Sequence, residues 1–84
     1  MKEVKLYTWS YCPYCKRAIA LLDKKKIDYV EIGIDGDSQK FNELSLKTGH
    51  KSVPFVFINN EFIGGFAELK ALNNSSALDK ILGK

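Results

Sequence analysis

Two side chains in this 84-residue chain can exchange covalent bonds under mild conditions, the thiols of Cys12 and Cys15. Both fall in one run, TWSYCPYCKRA, at residues 8–18. Several chemistries compete for such a pair. A closed zinc site takes four ligands, whereas the chain offers these two cysteines and a single distant His50. A structural disulfide across so short a loop removes little chain entropy. Two buried, inert thiols would need neither Pro13-Tyr14 between them nor a helix start beneath them. A Cys-x-x-Cys directly after a strand, inside a strand–helix–strand unit, reads instead as a working dithiol that passes electrons by disulfide exchange.

Position supplies the reactivity. Pro13 suits the first position of a helix, where its missing N–H costs nothing. Cys12 then sits at the N-cap and Cys15 one turn on. Unpaired N–H groups and the positive end of the helix dipole face the Cys12 sulfur, and they favour the thiolate, the nucleophilic form. Lys16 and Arg17 follow directly. They either add to that potential as thiolate-stabilising residues or are ordinary solvated charges. Side chains at i and i+3 share a helix face, which brings the two sulfurs within bridging distance. Cys12, expected exposed at the helix tip, is the attacking thiol. Cys15, facing inward, resolves the mixed disulfide.

The elements that position this pair follow from periodicity. Residues 3–9 alternate, with Val4, Leu6 and Thr8 facing one way and Lys5, Tyr7 and Trp9 the other, which predicts a strand. Cys15, Ala18, Ile19 and Leu22 form one apolar helical face, and Lys24 to Lys26 close the helix where cations complement its negative end. IDYVEIGI, residues 27–34, reads as a second strand. Residues 35–38 make a turn and helix start, and Phe41, Leu44 and Leu46 mark a second helix up to Thr48, with Gly49 as its C-cap. PFVFI, residues 54–58, reads as a buried strand, Asn59-Asn60 as a hairpin turn, and residues 61–63 as the returning strand. A third helix spans about residues 67–72, and Ser75 or Ser76 caps a last one carrying Ala77, Leu78, Ile81 and Leu82. The order β-α-β-α-β-β-α, plus a short C-terminal helix, predicts an α/β fold with a four-stranded mixed sheet flanked by helices.

The totals agree with one domain over residues 1–84. Nearly half the residues are apolar, with 45% hydrophobic and 27% charged, which is an ordinary globular composition. The net charge of +3 comes from scattered lysines with no basic stripe interleaved with aromatics, so no nucleic-acid partner is expected. No apolar run approaches the ~20 residues that cross a bilayer. The opening MKEVKLYTW lacks the apolar segment of a signal peptide. A cytoplasmic location is expected, where disulfides are transient and catalytic.

With these residues in place, the chain resembles a glutaredoxin over essentially its whole length. The carrying motifs are CPYC at residues 12–15, SVP at 52–54 and IGG at 63–65, in the family's order and at similar spacing. CPYC is the dithiol form. The resemblance implies a thioredoxin-like fold and glutathione-dependent thiol–disulfide exchange. Glutathione is then the co-substrate, no metal is required, and the partners are disulfide-bonded or glutathionylated proteins met by a monomer. It also implies a cis Pro54 beside the cysteines, although spacing alone reads Pro54 as a strand-start proline. By the same likeness, the Val53 backbone pairs with the cysteinyl part of glutathione. Gly64 and Gly65 let the ligand approach the backbone, and N–H groups at the next helix start hold the γ-glutamyl carboxylate. Tyr14 lines the groove.

This chain departs from the family's pattern in its charges. Trp9 stands where many relatives carry lysine; it can wall the groove but cannot neutralise a carboxylate. Phe41 stands where Arg or Gln is frequent, which leaves Lys51 to meet the glycyl carboxylate. Phe66, Ala67 and Glu68 follow the glycines, where a small or Cys residue and then polar or acidic ones are common, so Glu68 is left to meet the glutathionyl ammonium. Each charge-assisted contact is worth about 1–3 kcal/mol. Two other functions stay open. One is a carrier reduced by thioredoxin reductase that serves ribonucleotide or methionine sulfoxide reductase. The other is an iron–sulfur carrier in which two subunits each supply Cys12 and glutathione completes the cluster, a role that the stiffening Pro13 disfavours. Trp9, Tyr11 and Phe66 form either an exposed apolar rim for a partner protein or buried packing.

Overall fold

The computed structural model describes residues 3–83. Met1, Lys2 and Lys84, which the one-domain reading includes, lie outside them. Four strands and four helices run β1 (Val4–Thr8), α1 (Pro13–Lys24), β2 (Val30–Gly33), α2 (Ser38–Thr48), β3 (Phe55–Ile58), β4 (Glu61–Gly64), α3 (Phe66–Asn74) and α4 (Ala77–Leu82). The sheet order is β2-β1-β3-β4, with β1 and β2 parallel and the other two pairings antiparallel. This is the expected mixed sheet flanked by helices.

Alternation along β1 and β3 divides the interior in two. Val4, Leu6, Val56 and Ile58 pack with Ala18 and Leu22 of α1, Leu69 of α3 and Leu78 of α4. Tyr7, Phe55 and Phe57 face the other way, against Phe41 and Leu44 of α2 and both cysteines. α1 begins at Pro13, ends at Lys24 and buries Cys15, Ala18 and Leu22, as its 3.6-residue period requires. The Asn59-Asn60 turn has positive φ at both residues, 53° and 68°, the form that matches the strand twist of a tight hairpin. Gly49 closes α2 at φ 77°.

Three expectations differ. The second strand is four residues long, not the eight of 27–34. The Ile27 amide bonds back to the Leu22 carbonyl, and Lys26 has φ 57°, so this segment wraps the end of α1 before the chain can join the sheet. Leu46 is 87% exposed and lies outside the core. Two residues past Leu44 is more than half a helical turn around, so both cannot face the sheet. The third helix is longer than residues 67–72, running from Phe66 to Asn74. Before the last helix, the Ser75 hydroxyl accepts from the Ala77 amide at 3.4 Å, so Ser75 supplies the cap interaction while Ser76 stands at φ 65°. Among the described residues, no helix is long and apolar enough to cross a membrane.

Candidate active site

The loop from β1 into α1 is anchored from the neighbouring β2–α2 connection. The Ser10 amide donates to both Asp35 carboxylate oxygens at 2.9 Å, and its hydroxyl donates to Oδ2 at 2.6 Å. These bonds, the hydroxyl's first, hold the Asp35 carboxyl below its ordinary value. The anchored loop delivers Cys12 to the N-cap of α1, with extended backbone dihedrals and Pro13 at the first helical position.

The Cys12 sulfur does what a capping oxygen does elsewhere. The Cys15 amide donates to Cys12 Sγ at 3.2 Å, satisfying one of the helix's unpaired N–H groups. On its other side, the Cys12 thiol donates to the Val53 carbonyl at 3.7 Å. These two contacts turn the sulfur inward, so Cys12 is only 7% exposed and not the exposed tip that its position suggested. It still opens to a cavity of about 340 Å³ lined by Trp9, Tyr11, Cys12, Pro13, Lys51, Ser52 and Val53.

Cys15 is 1% exposed. Burial pushes its thiol up to about 12, with further upward contributions from its hydrogen bond to Cys12 and the negative charges of Cys12 and Glu31. A hydrogen bond from the Trp9 backbone pulls the other way. Both cysteines are free thiols, and the Val53–Pro54 peptide beside them is cis.

A second cavity of about 300 Å³ continues from Ser52 and Val53, and Tyr14, His50, Pro54, Gly65, Phe66, Ala67 and Glu68 complete its lining. Of the residues expected in the groove, all but Gly64 line one of two adjoining cavities. Trp9 and Lys51 stand on the Cys12 side; Tyr14, Pro54, Gly65, Phe66 and Glu68 stand on the far side; Val53 belongs to both. Lys16 and Arg17 are exposed, and the Arg17 guanidinium lies 5.3 Å over the Tyr14 ring.

The two glycines have a reason inside the chain itself. A Cβ on Gly65 would stand 3.0 Å from His50 Nε2, and one on Gly64 would fall 2.5 Å from Glu68 Cγ. Glu68 is also committed locally, since its Oε1 accepts from the Gly65 amide at 2.7 Å. It caps α3 from within, as the glutamate of a capping box does, and already holds the first N–H of the helix start that the resemblance reserves for a ligand carboxylate.

Sequence reasoning missed His50, Ser52, Tyr11, Pro13 and Ala67 as cavity residues. His50 Nε2 and Ser52 Oγ share a hydrogen bond of 3.2 Å, and the imidazole stands edge-on to Phe55 with ring centroids 5.5 Å apart. The signal was there in part, because His50 and Ser52 flank Lys51 directly before Val53-Pro54.

Comparison with known proteins bears on this geometry. The family model described as Glutaredoxin matches residues 4–63. The chain belongs to the glutaredoxin family. It is 42% identical over 82 residues to glutaredoxin 3 of Escherichia coli strain K12, covering 98% of this chain and 99% of that one. The holo form of glutaredoxin C1 from Populus tremula x tremuloides superposes with a TM-score of 0.91 at 31% identity, covering 95% of this chain and 82% of that one. A buckwheat glutaredoxin–glutathione complex superposes at 0.90 with 28% identity, covering 98% and 77%. The fold is thioredoxin-like, and the activity is that of a glutathione-dependent thiol–disulfide oxidoreductase with a Cys-x-x-Cys dithiol.

Proposed function

We propose that Cys12 is the nucleophile of this glutaredoxin, that Cys15 resolves, and that glutathione lies across the two cavities joined at Ser52 and Val53. The observation that carries this is the Cys12 sulfur. It accepts the Cys15 amide at the head of α1 and opens to the cavity beside Val53. A thiolate there attacks the glutathione sulfur of a protein mixed disulfide. The new bond joins Cys12 to glutathione, the old S–S bond breaks, and the protein thiolate leaves and takes a proton from solvent. A second glutathione thiolate then attacks the glutathionyl sulfur, which releases glutathione disulfide and restores Cys12. With a protein disulfide, Cys12 forms the mixed disulfide. Cys15 loses its proton and attacks Cys12 Sγ, expelling the substrate thiol. Two electrons have passed to the substrate, and two glutathiones later reduce the Cys12–Cys15 bond.

Within that reading, the Val53 backbone pairs with the cysteinyl unit while Lys51 and Trp9 stand at the glycyl end. Tyr14, Pro54, Gly65, Phe66 and Glu68 meet the γ-glutamyl end. Lys16 and Arg17 add positive potential around Cys12 from the exposed side of α1. One domain over 1–84, acting as a monomer in the cytoplasm on disulfide-bonded and glutathionylated proteins, fits a free dithiol. Reduction by thioredoxin reductase is a second reading, favoured because Lys51 is the one cation among the described residues that line the Cys12 cavity. Relative turnover with the two reductants separates them.

Substitution of each cysteine, assayed on a glutathione mixed disulfide, tests the assignment. Cys12→Ser abolishes turnover, and Cys15→Ser keeps an appreciable part of it. Activity in Cys12→Ser refutes the choice of nucleophile.

A further inference from the structure

A third cleft, of about 290 Å³, lies on the far side of Trp9 and Tyr11 from the Cys12 cavity, and those two residues line both. Its remaining walls include Phe41 and Ile34, with Asp37 and Ser38 at the start of α2. Three rings are stacked along it. Trp9 lies 5.8 Å from Tyr11 at 27° and 5.5 Å from Phe41 at 30°. Phe41 in turn meets buried Phe55 edge-on at 5.7 Å. The stack therefore runs from the core to Tyr11, which is 70% exposed. Asp37, in the lining, and nearby Asp35 each accept hydrogen bonds within the chain. Asp37 accepts from the Lys40 amide at 3.0 Å, and Asp35 holds Ser10.

An apolar slot adjoining a reactive sulfur is placed to read what surrounds a substrate's cysteine. We infer that this cleft binds an extended segment of the protein substrate, taking an aromatic or branched aliphatic side chain from within three residues of the attacked cysteine. The inference rests on the exchange chemistry proposed above. A disulfide seated at Cys12 must carry its polypeptide past Trp9 or away from it, and three extended residues reach at most about 10 Å. Ring faces stacked this way offer apolar contact and no fixed charge, so an apolar side chain is selected over a polar one.

The test uses the intact protein and glutathionylated nonapeptides that differ at a single position, one to three residues either side of their cysteine, carrying Phe, Ser or Lys. At one position, Phe is expected to raise kcat/KM over Ser by roughly tenfold, the discrimination an apolar pocket supplies. Phe41→Leu brings that ratio toward unity. Trp9 is the chain's single tryptophan and lines both the cleft and the Cys12 cavity, so the difference in its emission between Phe and Ser peptides reads the cleft. Phe peptides with serine in place of cysteine should shift it saturably, and Ser peptides should not. Equal rates at every position, a preference for Lys, or an unmoved Trp9 emission overturns the inference. Failure to turn over a small glutathione mixed disulfide without any peptide overturns the exchange reading instead, and the emission titration still decides the cleft.

Discussion

Replacing Gly64 with alanine probes the joint between β4 and α3, where the fold and the cavity share a constraint. Gly64 has φ +136° and is buried. An L side chain there adopts a backbone conformation that costs about 1–3 kcal/mol. Its Cβ also falls 2.5 Å from Glu68 Cγ, 2.6 Å from Oε1 and 2.7 Å from Cβ. The first two contacts are relieved if the Glu68 side chain swings away, but the Gly65 amide then loses its 2.7 Å acceptor, a capping interaction worth about 1 kcal/mol. The third contact is not relieved by any side-chain rotation. The first turn of α3 must move, and overpacking of this kind costs about 1–3 kcal/mol. Gly64→Ala should therefore lose about 3–7 kcal/mol, much of the ~5–15 kcal/mol that holds an ordinary domain folded.

A double-mutant cycle separates the parts. Glu68→Ala alone should cost about 1 kcal/mol, the cap. In that background Gly64→Ala displaces no cap, so the double variant should be more stable than additivity predicts by about the same 1 kcal/mol. It should remain strongly destabilised, because an alanine at position 68 keeps the Cβ. Urea unfolding followed by far-ultraviolet circular dichroism and Trp9 emission measures all four proteins. A Gly64→Ala cost below about 1 kcal/mol, or strict additivity, would refute the steric reasoning.

Two further outcomes follow from burial. Because the Cys15 thiol is pushed up to about 12 from an ordinary 9.0, the folded state favours the protonated form. Its stabilising contribution is complete below pH 9 and is lost as pH rises from there toward 12. Denaturation midpoints across that range should fall more steeply for the reduced wild type than for Cys15→Ala, and parallel curves would refute the assignment. On α2, Leu44→Ala should cost about 2–5 kcal/mol and Leu46→Ala no more than about 0.5 kcal/mol. Comparable losses at both sites would mean that α2 is rotated from the orientation described.

Much of the fold was legible because alternation and helical spacing are local signals. Val4 and Leu6 against Tyr7, or Ala18 with Leu22, sort onto faces without knowledge of any partner. What the sequence hid were decisions made between elements. The segment at 27–34 looks like eight residues of strand, yet Ile27 is used to close α1. Leu46 matches the hydrophobic spacing of α2 only if the helix is read without its phase against the sheet. The cysteines were legible as a candidate site from motif and spacing, whereas Val53-Pro54 and the glycine pair joined it only through the family resemblance. Why the glycines are needed was not, since the Glu68 and His50 atoms that exclude a Cβ reach them only in the folded chain. For His50 the one local signal was its place beside Lys51, directly before Val53-Pro54.

The two thiols lie one helical turn apart in different surroundings, and the proposed division of work between them rests on that difference. Cys12 takes the position where an unpaired amide must find an acceptor, so its sulfur is bonded by the helix it starts. Cys15 is sealed beneath it and held protonated, first by burial and then by the nearness of Cys12, through a hydrogen bond and through charge. Exchange that needs only Cys12 proceeds without asking Cys15 for its proton. Once the Cys12 sulfur is tied into a mixed disulfide, it carries no negative charge, and one of the influences opposing Cys15 ionisation disappears. On the proposed assignment, in which Cys15 resolves, that thiol is eased toward its reactive form by the event that creates the bond it must attack, while desolvation continues to oppose its ionisation.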